Sequence, residues 1–107
     1  MLYPANFEEM GAISVLESMA AGTPAITSTL GVLAELAAES RGIAVPGRPG
    51  NKEFADHFVQ ATLELLKDQS RLERMRAAAR EYVLTHHDWD AIARRWDRIL
   101  REPRMFQ

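Results

Sequence analysis

The chain has 107 residues, of which 47% are hydrophobic and 26% are charged, and its net charge is −2 at pH 7. These values fit one globular domain and exclude wholesale disorder, while the acidic balance and the dispersed arginines argue against a nucleic-acid partner. No apolar run approaches the roughly 20 residues that a transmembrane helix needs. No cysteine is present for disulfides or thiolate metal sites. We therefore expect a cytoplasmic protein without a transmembrane segment.

The first half of the chain alternates helical and strand-like segments. Leu2 and Tyr3 have the character of the tail of a strand, so we expect the chain to be truncated relative to a larger protein. Gly22 stands where the left-handed C-terminal cap of a helix belongs, and Thr29 can cap a short helix. The predicted elements are a helix over 13–21, a strand over 24–28, a helix over 31–38 and a strand over 42–46. This alternation predicts an α/β layer of parallel strands.

From Asn51 onward the sequence indicates helices alone. Three amphipathic helices are predicted, with apolar side chains at helical spacing and with Asn51, Ser70 and Asp88 as N-caps. The chain thus divides into an α/β segment over 1–50 and a helical part over 51–107 of a single partial domain. Because two or three short strands are too few for an independent sheet, we expect further strands from an absent N-terminal part or from a second copy of the chain.

Two glutamates flank the start of the first predicted helix. Glu9 precedes the helix in a loop, and Glu17 follows within the helix after seven intervening residues. The first N–H groups of a helix suit phosphate, and a carboxylate accepts hydrogen bonds from vicinal hydroxyls such as those of a ribose. The pattern is therefore compatible with a sugar-nucleotide site. Spacing alone favours a simpler interpretation, a capping box between Ser14 and Glu17 with Glu8 and Glu9 as solvated loop charges.

The order of several motifs resembles a known family. The motifs are Tyr3-Pro4, then Glu9-x7-Glu17 continuing as Ser-Met-Ala-Ala-Gly-Thr-Pro-Ala-Ile, then Leu30-Gly-Val-Leu-Ala-Glu, Gly42-Ile-Ala-Val-Pro and His87-Asp-Trp. This series resembles the C-terminal half of the group 1 glycosyltransferases, a large group of retaining enzymes with the GT-B fold. The resemblance covers nearly the whole chain. It implies the second half of a Rossmann-like nucleotide-binding domain, followed by amphipathic C-terminal helices.

The resemblance also implies roles for individual residues. Glu9 would be the catalytic residue that faces the donor sugar, and Glu17 would bind the nucleotide ribose. The other donor-binding groups would be the backbone amides of Met10, Gly11, Ala12 and Ile13. The donor would be a nucleotide sugar such as a UDP- or GDP-sugar, bound by the segment over 1–50. No metal or other cofactor is expected.

Some features depart from the family pattern. A Met-Gly-Ala sequence follows Glu9 where Gly-Phe-Gly is usual, and Leu30 replaces the first glycine of a Gly-Gly-x-x-Glu motif. Because glycine allows the closest backbone approach, these changes affect the geometry of the loop, and a one-residue shift that uses Glu8 is an alternative. The family's basic pair has no counterpart before the Glu9 motif, since the first basic residue of the chain is Arg41. The family's nucleobase pocket and acceptor domain also have no counterpart in this sequence.

Two functions are therefore expected. In the first, the chain is the donor-binding fragment of a retaining glycosyltransferase and is inactive without its N-terminal part. In the second, it is a non-catalytic interaction module that forms a homodimer or pairs with a partner through an exposed sheet edge.

The remaining candidate residues favour structural interpretations. Adjacent His86 and His87 do not converge easily on one metal ion, and a helix end before an Asp88 cap accounts for them. Trp89 and Trp96 lie seven residues apart on one helical face and are expected to anchor the core.

Overall fold

The computed structural model describes residues 1–102, which form a three-stranded parallel sheet and five helices. The strands are β1 (Leu2–Tyr3), β2 (Ala25–Ser28) and β3 (Gly42–Val45). The helices are α1 (Ile13–Ala20), α2 (Leu33–Leu36), α3 (Lys52–Lys67), α4 (Gln69–His86) and α5 (Trp89–Arg101). This order confirms the predicted α/β fold with C-terminal helices.

The sheet has the strand order β1-β2-β3, and both pairs of strands are parallel. Ile26 of β2 pairs with Leu2 on one side and with Ile43 on the other. All four residues of β2 are buried, as is typical of a parallel strand covered on both faces. Helices α1 and α2 connect successive strands, which is the kind of crossover that parallel pairing requires. The prediction of parallel strands is therefore confirmed.

Helices cover the two faces of the sheet with separate apolar clusters. On one face α1 and α4 pack over β2, and Val15 and Met19 of α1 are fully buried there. On the other face Phe54 of α3 packs in a cluster with Ile26. The consecutive residues Ala25 and Ile26 belong to different clusters because side chains alternate across a strand. The core therefore consists of two apolar layers, one on each face of the sheet at β2.

The helix N-termini agree with some predictions and correct others. The N-caps of α3 and α5 are the predicted Asn51 and Asp88. Helix α4 is capped by Asp68 rather than by Ser70, and the Asp68 carboxylate accepts a backbone N–H at 3.0 Å. The predicted Thr29 cap is also wrong, because α2 begins only after Val32 and spans a single turn.

Helix α5 packs against α4 and leaves its aromatic side chains in solvent. None of its residues is buried, and Trp89 and Trp96 are 82% and 56% exposed. The expectation that these tryptophans anchor the core is therefore wrong. Within residues 1–102, no helix has both the length and the apolar character needed to cross a membrane.

Candidate functional site

Helix α1 begins without a side-chain cap. Its N-cap is Ala12, a buried residue in the left-handed conformation (φ 50°, ψ 51°), and no side chain of the described residues caps it. Ser14 is the second residue of the helix, so it cannot be the N-cap of a capping box with Glu17, and that interpretation is wrong. The Val15 N–H donates to the Ala12 carbonyl at 3.0 Å, and the N–H groups of Ile13 and Ser14 before it remain available to an external acceptor.

Two of the residues predicted to bind the donor lie on the exposed side of α1. Ile13 and Glu17 are one turn apart and both are exposed, while Val15 and Met19 on the opposite side fill the core. Met10, in the loop before the helix, is 92% exposed. The structure thus brings the start of α1, Ile13 and Glu17 to one solvent-facing surface.

Glu9 is held through both its backbone and its side chain. Its carbonyl oxygen accepts the N–H of Val32 at 2.7 Å, and the residue forms an isolated parallel bridge with Gly31. Its carboxylate oxygen Oε1 accepts a hydrogen bond from the hydroxyl of Tyr3 at the end of β1. This hydrogen bond is the main reason why the pKa of Tyr3 is raised, because the neutral phenol is the form that donates to the carboxylate. Glu9 therefore has a defined place and is not simply a solvated loop charge.

Gly31 permits this arrangement because it has no side chain. Its φ is 62°, and a Cβ at this position would lie 2.1 Å from the carbonyl oxygen of Glu9. Real Cβ atoms do not approach a backbone oxygen so closely, so the two segments could not keep their contact with any other residue here. Of the two glycines usual in the family motif, the chain retains the one that this contact requires.

A cleft of about 450 Å³ opens beside the Glu9 loop. Segments that follow β1, β2 and β3 line it, and its charged members are Glu8 and Arg48. Parallel α/β sheets bind ligands at the carboxyl ends of their strands, and this cleft lies at that edge. Glu8 faces the cleft, whereas the Glu9 carboxylate bonds to Tyr3. Arg48 was not predicted as a site residue, and its only signal in the sequence is its place just after a predicted buried strand.

A second polar cleft, of about 490 Å³, lies where α4 and α5 meet the end of α2. Arg41 stacks on Tyr82, with its guanidinium carbon 3.9 Å from the ring centroid, and donates to the carbonyl of Leu36 at 3.0 Å. His87 lies 3.4 Å from the Tyr82 hydroxyl, and its pKa is lowered, mainly by burial. These contacts give His87 a structural place at this joint. Residues 1–102 contain no group of three or more His, Cys, Asp or Glu side chains that could hold a metal ion.

The parallel sheet, its helical crossovers and the C-terminal helices are those of the C-terminal part of a GT-B protein, and comparison with known proteins agrees. Residues 1–82 match the family model for glycosyl transferases group 1. A GDP-mannose-dependent alpha-(1-6)-phosphatidylinositol monomannoside mannosyltransferase of Mycobacterium tuberculosis is 36% identical over 90 residues, which are 83% of this chain and 22% of that protein. The GDP-mannose-dependent monoacylated alpha-(1-6)-phosphatidylinositol monomannoside mannosyltransferase of Corynebacterium glutamicum is 33% identical over 93 residues, 86% of this chain and 23% of that protein.

A solved structure gives the same result for the fold. Sucrose-phosphate synthase from Thermosynechococcus elongatus matches 96% of this chain with a TM-score of 0.71 and 26% sequence identity, over 26% of its own length. The chain belongs to the group 1 glycosyltransferase family. It spans between 22% and 26% of the length of these relatives.

Proposed function

We propose that this chain forms the donor-binding part of a retaining glycosyltransferase, which transfers a glycosyl group from a nucleotide sugar to an acceptor. The observation that carries the proposal is the uncapped start of α1, which shares an exposed surface with Glu17 and directly follows the loop that holds Glu9. Helix N–H groups favour phosphates, and a carboxylate suits the vicinal hydroxyls of a ribose. These are two of the parts of a nucleotide sugar.

In the proposed reaction each group acts on a different part of the donor. Glu9 positions the sugar, and its negative charge stabilises the positive charge that develops at the anomeric carbon as the bond to phosphate breaks. The N–H groups at the start of α1 take up the negative charge that develops on the leaving phosphate. Glu17 holds the ribose, so that the leaving group departs from a fixed place. We propose that the reaction proceeds with retention and uses no metal ion, as the family resemblance implies.

The relatives suggest which donor to test first. Both mannosyltransferases named above are GDP-mannose-dependent. We therefore propose a GDP-sugar as the donor, with a UDP-sugar as the alternative.

We propose further that the isolated chain binds the donor without transferring its sugar. No basic residue precedes Arg41 to stabilise a leaving diphosphate. A complementary N-terminal half would supply such groups, and the edge of the sheet offers it a place. In the described part of the chain β1 pairs with β2 alone, and Leu2 is 57% exposed beside an apolar groove of about 180 Å³. An unpaired strand edge of this kind accepts another strand.

Calorimetric titration of the chain with GDP-mannose and with a UDP-sugar tests donor binding. We expect Glu17→Ala to weaken the binding of the preferred donor about 10- to 100-fold, because it removes hydrogen bonds to a charged acceptor. Glu81→Ala, which changes an exposed glutamate of α4, is the matched control and should leave the affinity unchanged. Equal affinities for the wild type and Glu17→Ala would contradict the donor site. Sugar transfer by the purified chain would contradict the proposed inactivity, and a dimer indifferent to nucleotides would favour the non-catalytic module.

A further inference from the structure

We infer that Tyr3 is a positioning residue for Glu9, holding one oxygen of its carboxylate so that the other faces the donor sugar. The inference rests on the proposed function. It concerns a residue that belongs to the first motif, Tyr3-Pro4, but to which the family resemblance gives no role.

Tyr3 is tied to the sheet through its backbone. It is the last residue of β1 and pairs with Thr27, a fully buried residue of the central strand. Its ring is half-buried, and its hydroxyl reaches across the loop of residues 4–8 to Glu9. The tyrosine hydroxyl is therefore attached to a residue that is paired with the buried central strand of the sheet.

The hydrogen bond leaves one side of the carboxylate free. Tyr3 donates to Oε1 of Glu9, and within residues 1–102 no group donates to Oε2. An ionised carboxylate has about four acceptor positions, so Oε2 keeps its capacity to accept a hydrogen bond from a sugar hydroxyl.

The hydroxyl is not needed to hold the loop in place. The backbone of Glu9 is already bonded to Val32 and bridged to Gly31, and neither contact involves the Tyr3 hydroxyl. Loss of the hydroxyl therefore leaves the loop in position and releases the side chain of Glu9. A purely structural role and a positioning role consequently make different predictions for ligand binding.

Calorimetric titrations with GDP-mannose and with GDP separate the two roles. Because Glu9 meets the sugar and not the nucleotide, Tyr3→Phe should weaken GDP-mannose binding by roughly tenfold, about the effect of one lost hydrogen bond, and leave GDP binding unchanged. Tyr82→Phe is the matched control, since Tyr82 lies in the α4 joint, and should change neither affinity. Equal binding of GDP-mannose by Tyr3→Phe and the wild type overturns the inference and leaves the donor site standing.

A spectroscopic measurement tests the contact in the free protein. In protein labelled at the tyrosine ring carbon that bears the hydroxyl, the NMR titration of Tyr3 can be assigned by its absence from Tyr3→Phe. We expect Glu9→Gln to lower the pKa of Tyr3 towards its ordinary value of 10.0, because the neighbouring carboxylate is lost. A Tyr3 pKa that does not respond to Glu9→Gln overturns the inference. If the wild type binds neither the GDP-sugar nor the UDP-sugar, the proposed donor site itself is wrong, which distinguishes that outcome from a failure of the Tyr3 contact alone.

Discussion

Substitution of Gly31 by alanine tests whether the contact between Gly31 and Glu9 holds the site together. The new Cβ would lie 2.1 Å from the carbonyl oxygen and 2.6 Å from the nitrogen of Glu9, so the two segments must separate. Alanine at a φ of 62° costs about 1–2 kcal/mol in strain. Separation also breaks the hydrogen bond from Val32 to Glu9, 2.7 Å long, which contributes about 1 kcal/mol. We expect Gly31→Ala to lower the free energy of unfolding by about 2–3 kcal/mol.

Gly22→Ala provides the matched control for this experiment. Gly22 has a φ of 79°, and a Cβ at this position would meet nothing within 4 Å. Its substitution therefore introduces backbone strain of about 1–2 kcal/mol without a collision. Urea unfolding of both variants should show Gly31→Ala to be less stable than Gly22→Ala by about 1 kcal/mol. GDP-mannose binding should weaken in Gly31→Ala alone. Equal stability and equal binding in the two variants would refute the proposed role of the contact.

Two further predictions concern the core and the α4–α5 joint. Phe58→Ala should lower the free energy of unfolding by about 3–5 kcal/mol, because Phe58 is only 8% exposed in the core. The control is Val59→Ala at the next position, which is 55% exposed. Its free energy of unfolding in urea should stay within about 0.5 kcal/mol of the wild type. His87 has a lowered pKa because burial, and then the positive charges of His86 and Arg95, disfavour its protonated form, with Arg41 adding to this and Glu35 opposing it. Because the pKa of His87 is lower in the folded chain, the unfolded chain takes up the proton at a higher pH than the folded chain does. The free energy of unfolding should therefore fall as the pH drops below about 6.5, and His87→Gln should reduce this dependence on pH. If the stability of both proteins changes with the same slope between about pH 7 and 5, His87 does not cause the loss of stability at low pH.

The parallel layer of the fold was predictable because its signals are local. The segment that becomes β2 follows Pro24, begins with Ala25 and Ile26 and is partly β-branched, and such a short segment favours a buried strand. Gly22 was predicted as a left-handed cap and has a φ of 79°. Each of these features depends on a few consecutive residues, and tertiary packing reinforces what they favour.

The tryptophans of α5 show where a pattern alone is insufficient. Their spacing of seven residues correctly indicates one face of a helix, but it does not say whether another element covers that face. In the structure α5 contacts α4, and Trp89 and Trp96 remain exposed. Periodicity therefore predicted the helix and its amphipathic character, while the burial of the face depended on elements that periodicity does not describe.

Within the site, the sequence identified Glu9 and Glu17 but not what fixes Glu9. The contacts of Glu9 are not between neighbours in sequence, since Tyr3 lies six residues before it and Gly31 and Val32 lie 22 and 23 residues after it. No spacing rule for helices or strands links such positions. The motif therefore indicated which carboxylates to examine, and the structure added the residues that orient one of them.

The departure at Ala12 can be understood from the same backbone geometry. The family usually has glycine at this position, and in this chain Ala12 has a φ of 50°, a conformation that costs alanine about 1–2 kcal/mol. Its methyl group is 6% exposed and packs in the cluster around Val15 and Met19, where burial of one methyl contributes about 0.8 kcal/mol. The packing thus offsets much of the strain. Gly31 has no such compensation available, because its Cβ would meet backbone atoms rather than a side-chain pocket. The chain can therefore replace the glycine before α1 and still form the loop, whereas it has to keep the glycine that contacts Glu9.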